Sequence, residues 1–226
     1  MCMQFEYAPC DGQLSAVEER FGSDVREQLA AFPANRAVRP MQRIPIIRWL
    51  SGEEPCVASA RWGFSPHWLP AEPVQLAFHT EVEHADSQAW WRYAWRYARC
   101  LVPATAWYEI VPTQDEVSGD AEANPVTVEV SAGTLKVADA SGQIIMLAGL
   151  HGFLATPQGY RETVSVLTRP PPPDLDWARQ RLPCVVRRKA WNEWLHPLSS
   201  DPRRIVGMLE QVDMRLETRI MMQQIG

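Results

Sequence analysis

Residues 99–110 read RCLVPATAWYEI, and this stretch decides the fold class. Residues 99–103 (RCLVP) read as strand-like, and an aromatic pair then leads to Glu109 on a second strand at Trp107 to Val111. Immediately upstream, residues 89–99 (AWWRYAWRYAR) follow Asp86 and Ser87, either of which can cap a helix. Helical spacing puts Trp91, Trp95 and Ala98 on one face and Trp90, Ala94 and Tyr97 on another, which predicts a core helix gripped on two sides. The competing reading is a base-stacking platform, with Arg92 and Arg96 among the rings.

Outward from this core the same pattern repeats. Toward the N-terminus, short β-rich runs punctuated by Pro and Gly are expected as strands at Ile44 to Arg48, Val57 to Trp62 and Gln75 to His79. Before them, Leu14, Val17 and Phe21 share a helical face, and Asp24 with Glu27 reads as a capping pair for a second helix ending before Pro33. Toward the C-terminus, the acidic stretch Thr113 to Pro125 reads as a loop. Strands follow at Val126 to Val130, Leu135 to Ala138, Ile144 to Leu147 and Thr163 to Thr168. Pro170 to Pro173 holds extended polyproline geometry. Trp191, Trp194 and Leu195 suggest a helix, and Asp201 before Pro202 is a cap and first-turn pair for another. Short strands interleaved with a few helices, without βαβ alternation, argue for an α+β fold with a mainly antiparallel sheet.

The 226 residues suffice for a core without staples, and they read as a single domain. Five scattered cysteines with no C-x-x-C spacing read as reduced thiols, with no metal site and no cofactor. No apolar segment is long enough to span a membrane, and Gln4, Glu6 and Asp11 stand where a signal peptide would be apolar, so the expected location is the cytoplasm. The net charge of −5 limits any nucleic-acid contact to a local patch.

Two residues stand out chemically. With the initiator Met removed, Cys2 would offer an α-amine with a pKa of about 7.7–8.0 beside a thiol near about 8.5. Together they can trap an aldehyde as a Schiff base and close it to a thiazolidine. Glu109, among aromatic neighbours, is a candidate for proton transfer through a raised pKa; the alternative is a surface Glu at a strand end.

Met1-Cys2, RWGFSPHW at residues 61–68, RCLVPA followed by the aromatic-Glu pair ending at Glu109, AGL at 148–150, SVLT ending at Thr168 and the R-x-P at Arg181 to Pro183 occur in one order. In that order and spacing the chain resembles the SOS response-associated peptidase (SRAP) family. The resemblance runs to about Leu195, leaving residues 196–226 as a divergent C-terminal helical segment. It implies a barrel-like set of strands with flanking helices and a positively charged groove. It implies a protein that recognises abasic sites in single-stranded DNA and crosslinks to them through Cys2, with Glu109 shuttling protons. Self-removal of Met1 is the minimal form of the peptidase activity in the family name. Pro40 and Trp68 match residues that wedge against the unstacked strand, and Thr168 and Arg181 match positions lining the groove; Trp68 could instead cap the core.

The chain also departs from the family pattern. Met3 and Gln4 replace a Gly and an Arg beside the nucleophile. His79 stands at an active-site Asn position and Glu81 at a phosphate-binding Arg position, while Glu83 agrees. Arg179 stands where a catalytic His is expected, and a guanidinium cannot act as a general base, although it can stabilise an oxyanion or hold a phosphate. His79 could take over proton transfer or be a structural histidine. His67, His84, His151 and His196 have no metal-ligand spacing and read as surface or packing residues. Three functions stay open at this point: a crosslinking enzyme, a non-enzymatic DNA- or protein-binding descendant of the fold, and a thiol peptidase. The oligomeric state is not legible.

Overall fold

The computed structural model describes residues 4–50, 53–69, 71, 73, 76–112, 132–139, 141–171, 181–199, 201–210 and 218–219. Cys2, Arg179, the 113–125 loop, the strand expected at 126–130 and the second half of the polyproline run lie outside the described residues. The strands are β1 (Phe5–Tyr7), β2 (Asn35–Val38), β3 (Arg43–Arg48), β4 (Cys56–Trp62), β5 (His79–Glu81), β6 (Arg99–Ala104), β7 (Ala106–Pro112), β8 (Ala132–Val137), β9 (Ile145–Thr156), β10 (Gly159–Arg169), β11 (Leu182–Pro183) and β12 (Thr218–Arg219). The helices are α1 (Ser15–Phe21), α2 (Ser23–Ala31), α3 (Ala89–Tyr97), α4 (Trp191–Leu195) and α5 (Pro202–Glu210).

The fold is α+β, and its centre is a closed barrel. β4 pairs with β3, β3 with β6, β6 with β9, β9 with β10, and β10 returns to β4. All these pairings are antiparallel except the last, which is parallel. Closure removes the unpaired edges that an open sheet would leave. β5 and β11 add to the end of β10, and a second sheet, ordered β12-β8-β7-β1-β2, packs beside the barrel. The chain crosses from barrel to small sheet at Thr105, whose N–H donates to the Glu6 carbonyl at 2.8 Å. Pro103 sits inside β6, opposite Met146.

Arg99 explains how the helices are fixed. Its five N–H groups reach five backbone carbonyls: Trp95 and Arg96 at the end of α3, Trp194 in α4, and His196 and Ser199 beyond it, all at 2.7–2.8 Å. Helix ends leave carbonyls without intrahelical partners, and one planar fork satisfies both ends here. Burial pulls the pKa of Arg99 down to about 10, so it stays charged at neutral pH. Because Arg99 points at these outer helices, strand alternation turns Cys100 and Val102 into the barrel, along with Ile44, Ile46, Trp62, Val164 and Val166. Gly149 belongs to this inner layer, where a Cβ would lie 2.7 Å from Cys100 Sγ.

Several local expectations are corrected. The third strand is His79–Glu81, later than residues 75–79; upstream Ala77 makes an isolated bridge to Phe64. α2 is capped by Gly22 at φ 89°, a backbone region that favours glycine, and Asp24 lies in its first turn. α3 begins after Gln88 with no side-chain cap; Asp86 and Ser87 instead bind Arg96 and Arg92. Both expected faces of that helix pack on the core except at Tyr97: Trp91, Ala94 and Trp95 are buried and Trp90 and Ala98 pack partly against it, while Tyr97 and the neighbouring Tyr93 are exposed. Asp201 does cap α5, accepting from Arg203 N–H at 3.0 Å.

Candidate functional site

The register of the small sheet sets the orientation of Glu109. β1 lies antiparallel to β7, with Phe5 opposite Trp107 and Glu6 opposite Ala106. Residues alternate across a strand, so Glu109 shares a face with Trp107 and Phe5, while Tyr108 and Glu6 take the other. On that other face Glu6 accepts from Tyr108 Oη at 2.9 Å and from Lys136 Nζ at 2.8 Å. Glu6 is thus ion-paired, and its pKa falls below the usual carboxylate value through Lys136 and Tyr108 outweighing the opposing effect of burial.

Glu109 has no such support. It is 5% exposed, and its Oε1 accepts no hydrogen bond from any described residue. Burial pushes its pKa up to about 7, because the charged form has lost its water. A carboxyl group half-protonated at neutral pH can both donate and accept a proton.

Beside this sheet a chain of rings leads to His79. Phe5 packs on Trp62 at 5.2 Å, and Trp62 meets the His79 ring edge-on at 5.6 Å. Trp62 is held in place by its Nε1, which donates to the Phe78 carbonyl at 2.8 Å. Pro40 belongs to the same rim, since the next residue, Met41, donates its N–H to the Trp62 carbonyl at 2.8 Å.

β5 runs parallel to β10 with His79 opposite Val166 and Glu81 opposite Thr168. Thr168 is fully buried, and its hydroxyl accepts from Arg181 Nε at 3.2 Å. Arg181 also donates to the Thr168 carbonyl at 2.9 Å and pairs with Glu83 Oε2 at 2.5 Å, with Glu81 Oε1 3.9 Å away. His79, Thr168 and Arg181 therefore come together with Pro40 nearby, while Glu109 lies two residues beyond Trp107 on the face of β7 that Phe5 shares. Trp68 is placed differently, edge-on to Trp90 of α3 at 5.8 Å and 52% exposed.

Two acidic neighbours around Arg181 were not anticipated as a clamp. Glu83 is 98 residues away in sequence, so only the parallel β5–β10 pairing reveals it. A phosphate must compete with both carboxylates for this guanidinium. Were single-stranded DNA the ligand of this guanidinium, replacing them together (Glu81→Gln with Glu83→Gln) should tighten its binding about tenfold. It should also steepen the salt dependence by about one phosphate contact, a change of ~0.7 in the log–log slope. Fluorescence anisotropy across a salt series reads both; an unchanged slope would mean that Arg181 meets no phosphate.

Two of the other cysteines are poor nucleophile candidates. Cys100 and Cys184 are buried, and burial pushes both thiol pKa values up, that of Cys184 to about 12. Among the described residues no group of three or more His, Cys, Asp or Glu could hold a metal, and no helix is long and apolar enough to cross a membrane.

Comparison with known proteins places this geometry. A family model described as SOS response associated peptidase (SRAP) matches residues 1–226. The Abasic site processing protein YoqW of Bacillus subtilis is 24% identical over 155 residues, covering 68% of this chain and 63% of that protein. The Abasic site processing protein YMR114C of Saccharomyces cerevisiae is 21% identical over 140 residues, covering 60% of this chain and 33% of that protein. The matched stretch thus spans less than two thirds of either relative's length. Among solved structures, a protein from Bordetella bronchiseptica superposes with a TM-score of 0.70 at 19% identity, covering 98% of this chain and 100% of its own. One from Bacteroides thetaiotaomicron gives 0.69 at 19% identity, covering 92% of this chain and 86% of its own. At such identities the superpositions speak for the fold alone.

Proposed function

Since the chain belongs to the SOS response-associated peptidase family, we propose that it senses abasic sites in single-stranded DNA and joins itself to them covalently through Cys2. The observation that carries this reading is the buried carboxyl of Glu109, whose Oε1 accepts no hydrogen bond from any described residue, on the strand that pairs with the segment at Gln4. Gln4 is fixed there, its carbonyl accepting from Tyr108 N–H at 3.0 Å. Two residues of chain span at most about 7 Å, the reach within which the proposed chemistry needs the Cys2 amine to meet its substrate beside Glu109.

The chemistry proceeds in balanced steps. Removal of Met1 frees the Cys2 α-amine. Glu109, as the acid, donates a proton to the ring oxygen and takes up the C1 hydroxyl proton as the abasic sugar opens to its aldehyde. The amine lone pair then attacks the aldehyde carbon, and a proton passes from nitrogen to oxygen to give a carbinolamine. Proton donation by Glu109 to its hydroxyl expels water, and the N–H proton returns to Glu109 to leave an imine. The Cys2 sulfur adds to the imine carbon and its proton passes to nitrogen, closing a thiazolidine with the net loss of one water. No oxidant, metal or cofactor enters these steps. Their site is proposed to work in the cytoplasm.

A denaturing gel of the protein incubated with an abasic oligonucleotide tests the reading. The expected result is a shifted band that disappears with Cys2→Ala and with an intact oligonucleotide. A second reading, noncovalent binding to DNA or a protein by the same fold, is favoured by one observation: the charge of Arg181 is already compensated by Glu81 and Glu83. It predicts no shifted band for either protein, and that result would overturn the covalent reading.

A further inference from the structure

β1 has only three residues, at the short end of strand lengths, yet all three are buried. Its two core-facing side chains anchor one side. Phe5 packs on Trp62, and Tyr7 Oη donates to the Leu29 carbonyl at 2.7 Å. Glu6 points the other way, toward groups far from it in sequence. Tyr108 Oη lies 2.9 Å and Lys136 Nζ 2.8 Å from its Oε2, and Thr105 Oγ1 lies 3.3 Å from its Oε1. Lys136 stands opposite Tyr108 where β7 pairs with β8, so the Glu6 carboxylate ties β1 to both strands. The bridge is largely withdrawn from water, with the Glu6 side chain 9% exposed and that of Lys136 27%.

This bridge selects one register. Side chains alternate along a strand, so a slip of one residue would turn Glu6 onto the face of Trp62 and Trp107 and move Phe5 and Tyr7 to the other. An ionised carboxylate on that apolar face would lose both its partners and its water. The same slip would carry every residue before Phe5 along by about 3.3 Å. The contact between the Gln4 carbonyl and Tyr108 N–H belongs to the same register. Reacting groups need tighter placement than that, since an error of about 1 Å can cost on the order of a hundredfold in rate.

We propose that Glu6 is a positioning residue: by joining Tyr108 and Lys136 it sets the register of β1, and with it how far the amino-thiol of Cys2 reaches toward an aldehyde. Glu6 touches no substrate and transfers no proton. The proposal rests on the covalent reading above and gives the face of the small sheet opposite Glu109 a part in it. An ion pair that served stability alone would move the unfolding midpoint and leave the reaction of the folded protein as it was.

Single-turnover adduct formation over a range of abasic oligonucleotide concentrations tests the proposal. In Glu6→Gln the rate at saturation should fall about tenfold. The concentration giving half of that rate should stay within about twofold, because no DNA contact is lost. Both limbs of the pH profile should keep their positions, because Glu109 and the amine still titrate. Exchanging the charges (Glu6→Lys with Lys136→Glu) should bring the rate back to within about threefold of wild type, and either change alone should not. A glycine inserted between Cys2 and Met3 should slow the wild type about tenfold and Glu6→Gln by less, since a strand already free to slip absorbs it. A Glu6→Gln variant that reacts at the wild-type rate overturns the proposal and leaves the covalent reading standing. So does an effect confined to the half-saturating concentration, which would make Glu6 part of DNA binding. If circular dichroism shows that Glu6→Gln does not fold, the exchanged pair decides: folded and reactive supports the proposal, folded and slow overturns it. A wild type that forms no adduct overturns the covalent reading and this proposal with it.

Discussion

Glu109→Gln should slow adduct formation on the order of a hundredfold or more, the usual contribution of a positioned proton donor, without abolishing it. The amide keeps the shape of the side chain but cannot deliver a proton. The pH profile carries the sharper signature. The reaction needs Glu109 protonated, which holds below about 7, and the amine of Cys2 free, which holds above about 7.7–8.0. The wild-type rate should therefore be bell-shaped, with a maximum between about pH 7 and about pH 8 and an alkaline limb set by Glu109. In Glu109→Gln that limb should vanish and the acid limb remain. A variant with an intact alkaline limb would show that another group supplies the proton.

The same substitution should change stability with the opposite sense. In the folded protein Glu109 binds its proton more tightly than in the unfolded chain, with a pKa of about 7 against an ordinary 4.5. The folded state therefore holds more protons between these values, and stability falls as pH rises through that window. The full difference is at most about 3 kcal/mol, since each tenfold change in proton affinity is worth about 1.4 kcal/mol. Glu109→Gln should accordingly raise Tm at about pH 8.5 and leave it nearly unchanged near pH 4. A site that weakens the fold when ionised but helps the reaction when protonated is the expected cost of function.

Arg99→Ala should be the most damaging single change to the fold. It strips five buried or part-buried carbonyls of their donor at once and unties α3 from α4. Breaking a buried charged network by removing one partner costs about 3–5 kcal/mol, against a total stability of roughly 5–15 kcal/mol for a domain. Arg99→Lys should recover little, since an ammonium on a flexible stem has three donors and no fork. A urea titration followed by circular dichroism measures this, with a midpoint far below wild type expected for both. An unchanged midpoint would mean that water replaces the guanidinium at these helix ends. The Arg of the R-C-L-V-P-A segment is thus a structural fastener rather than a DNA contact.

What was legible in the sequence follows from how local each signal is. β3, β4 and β7 stand close to where alternation and Pro or Gly punctuation put them. The hairpin of β9 and β10 is much longer than its apolar runs at residues 144–147 and 163–168, because Gly149 and Gly152 read as strand breakers. They are there for space: a Cβ on Gly152 would come within 2.5 Å of the Ser65 carbonyl. Glu109 could be singled out because its aromatic neighbours are adjacent in sequence. The clamp on Arg181 and the bridge from Glu6 to Tyr108 and Lys136 could not, because strand register rather than sequence proximity assembles them. The aromatic helix was half legible: its repeat shows two apolar faces, but only packing decides that Tyr93 and Tyr97 stay in water.

Intact mass of the purified protein, recorded before and after incubation with an abasic oligonucleotide, tests the central claim most directly. The account predicts a starting mass lower than the full sequence by one methionine residue. It then predicts a product heavier by the oligonucleotide less one water, absent in Cys2→Ala. A chain that keeps Met1 and gains no mass would contradict it.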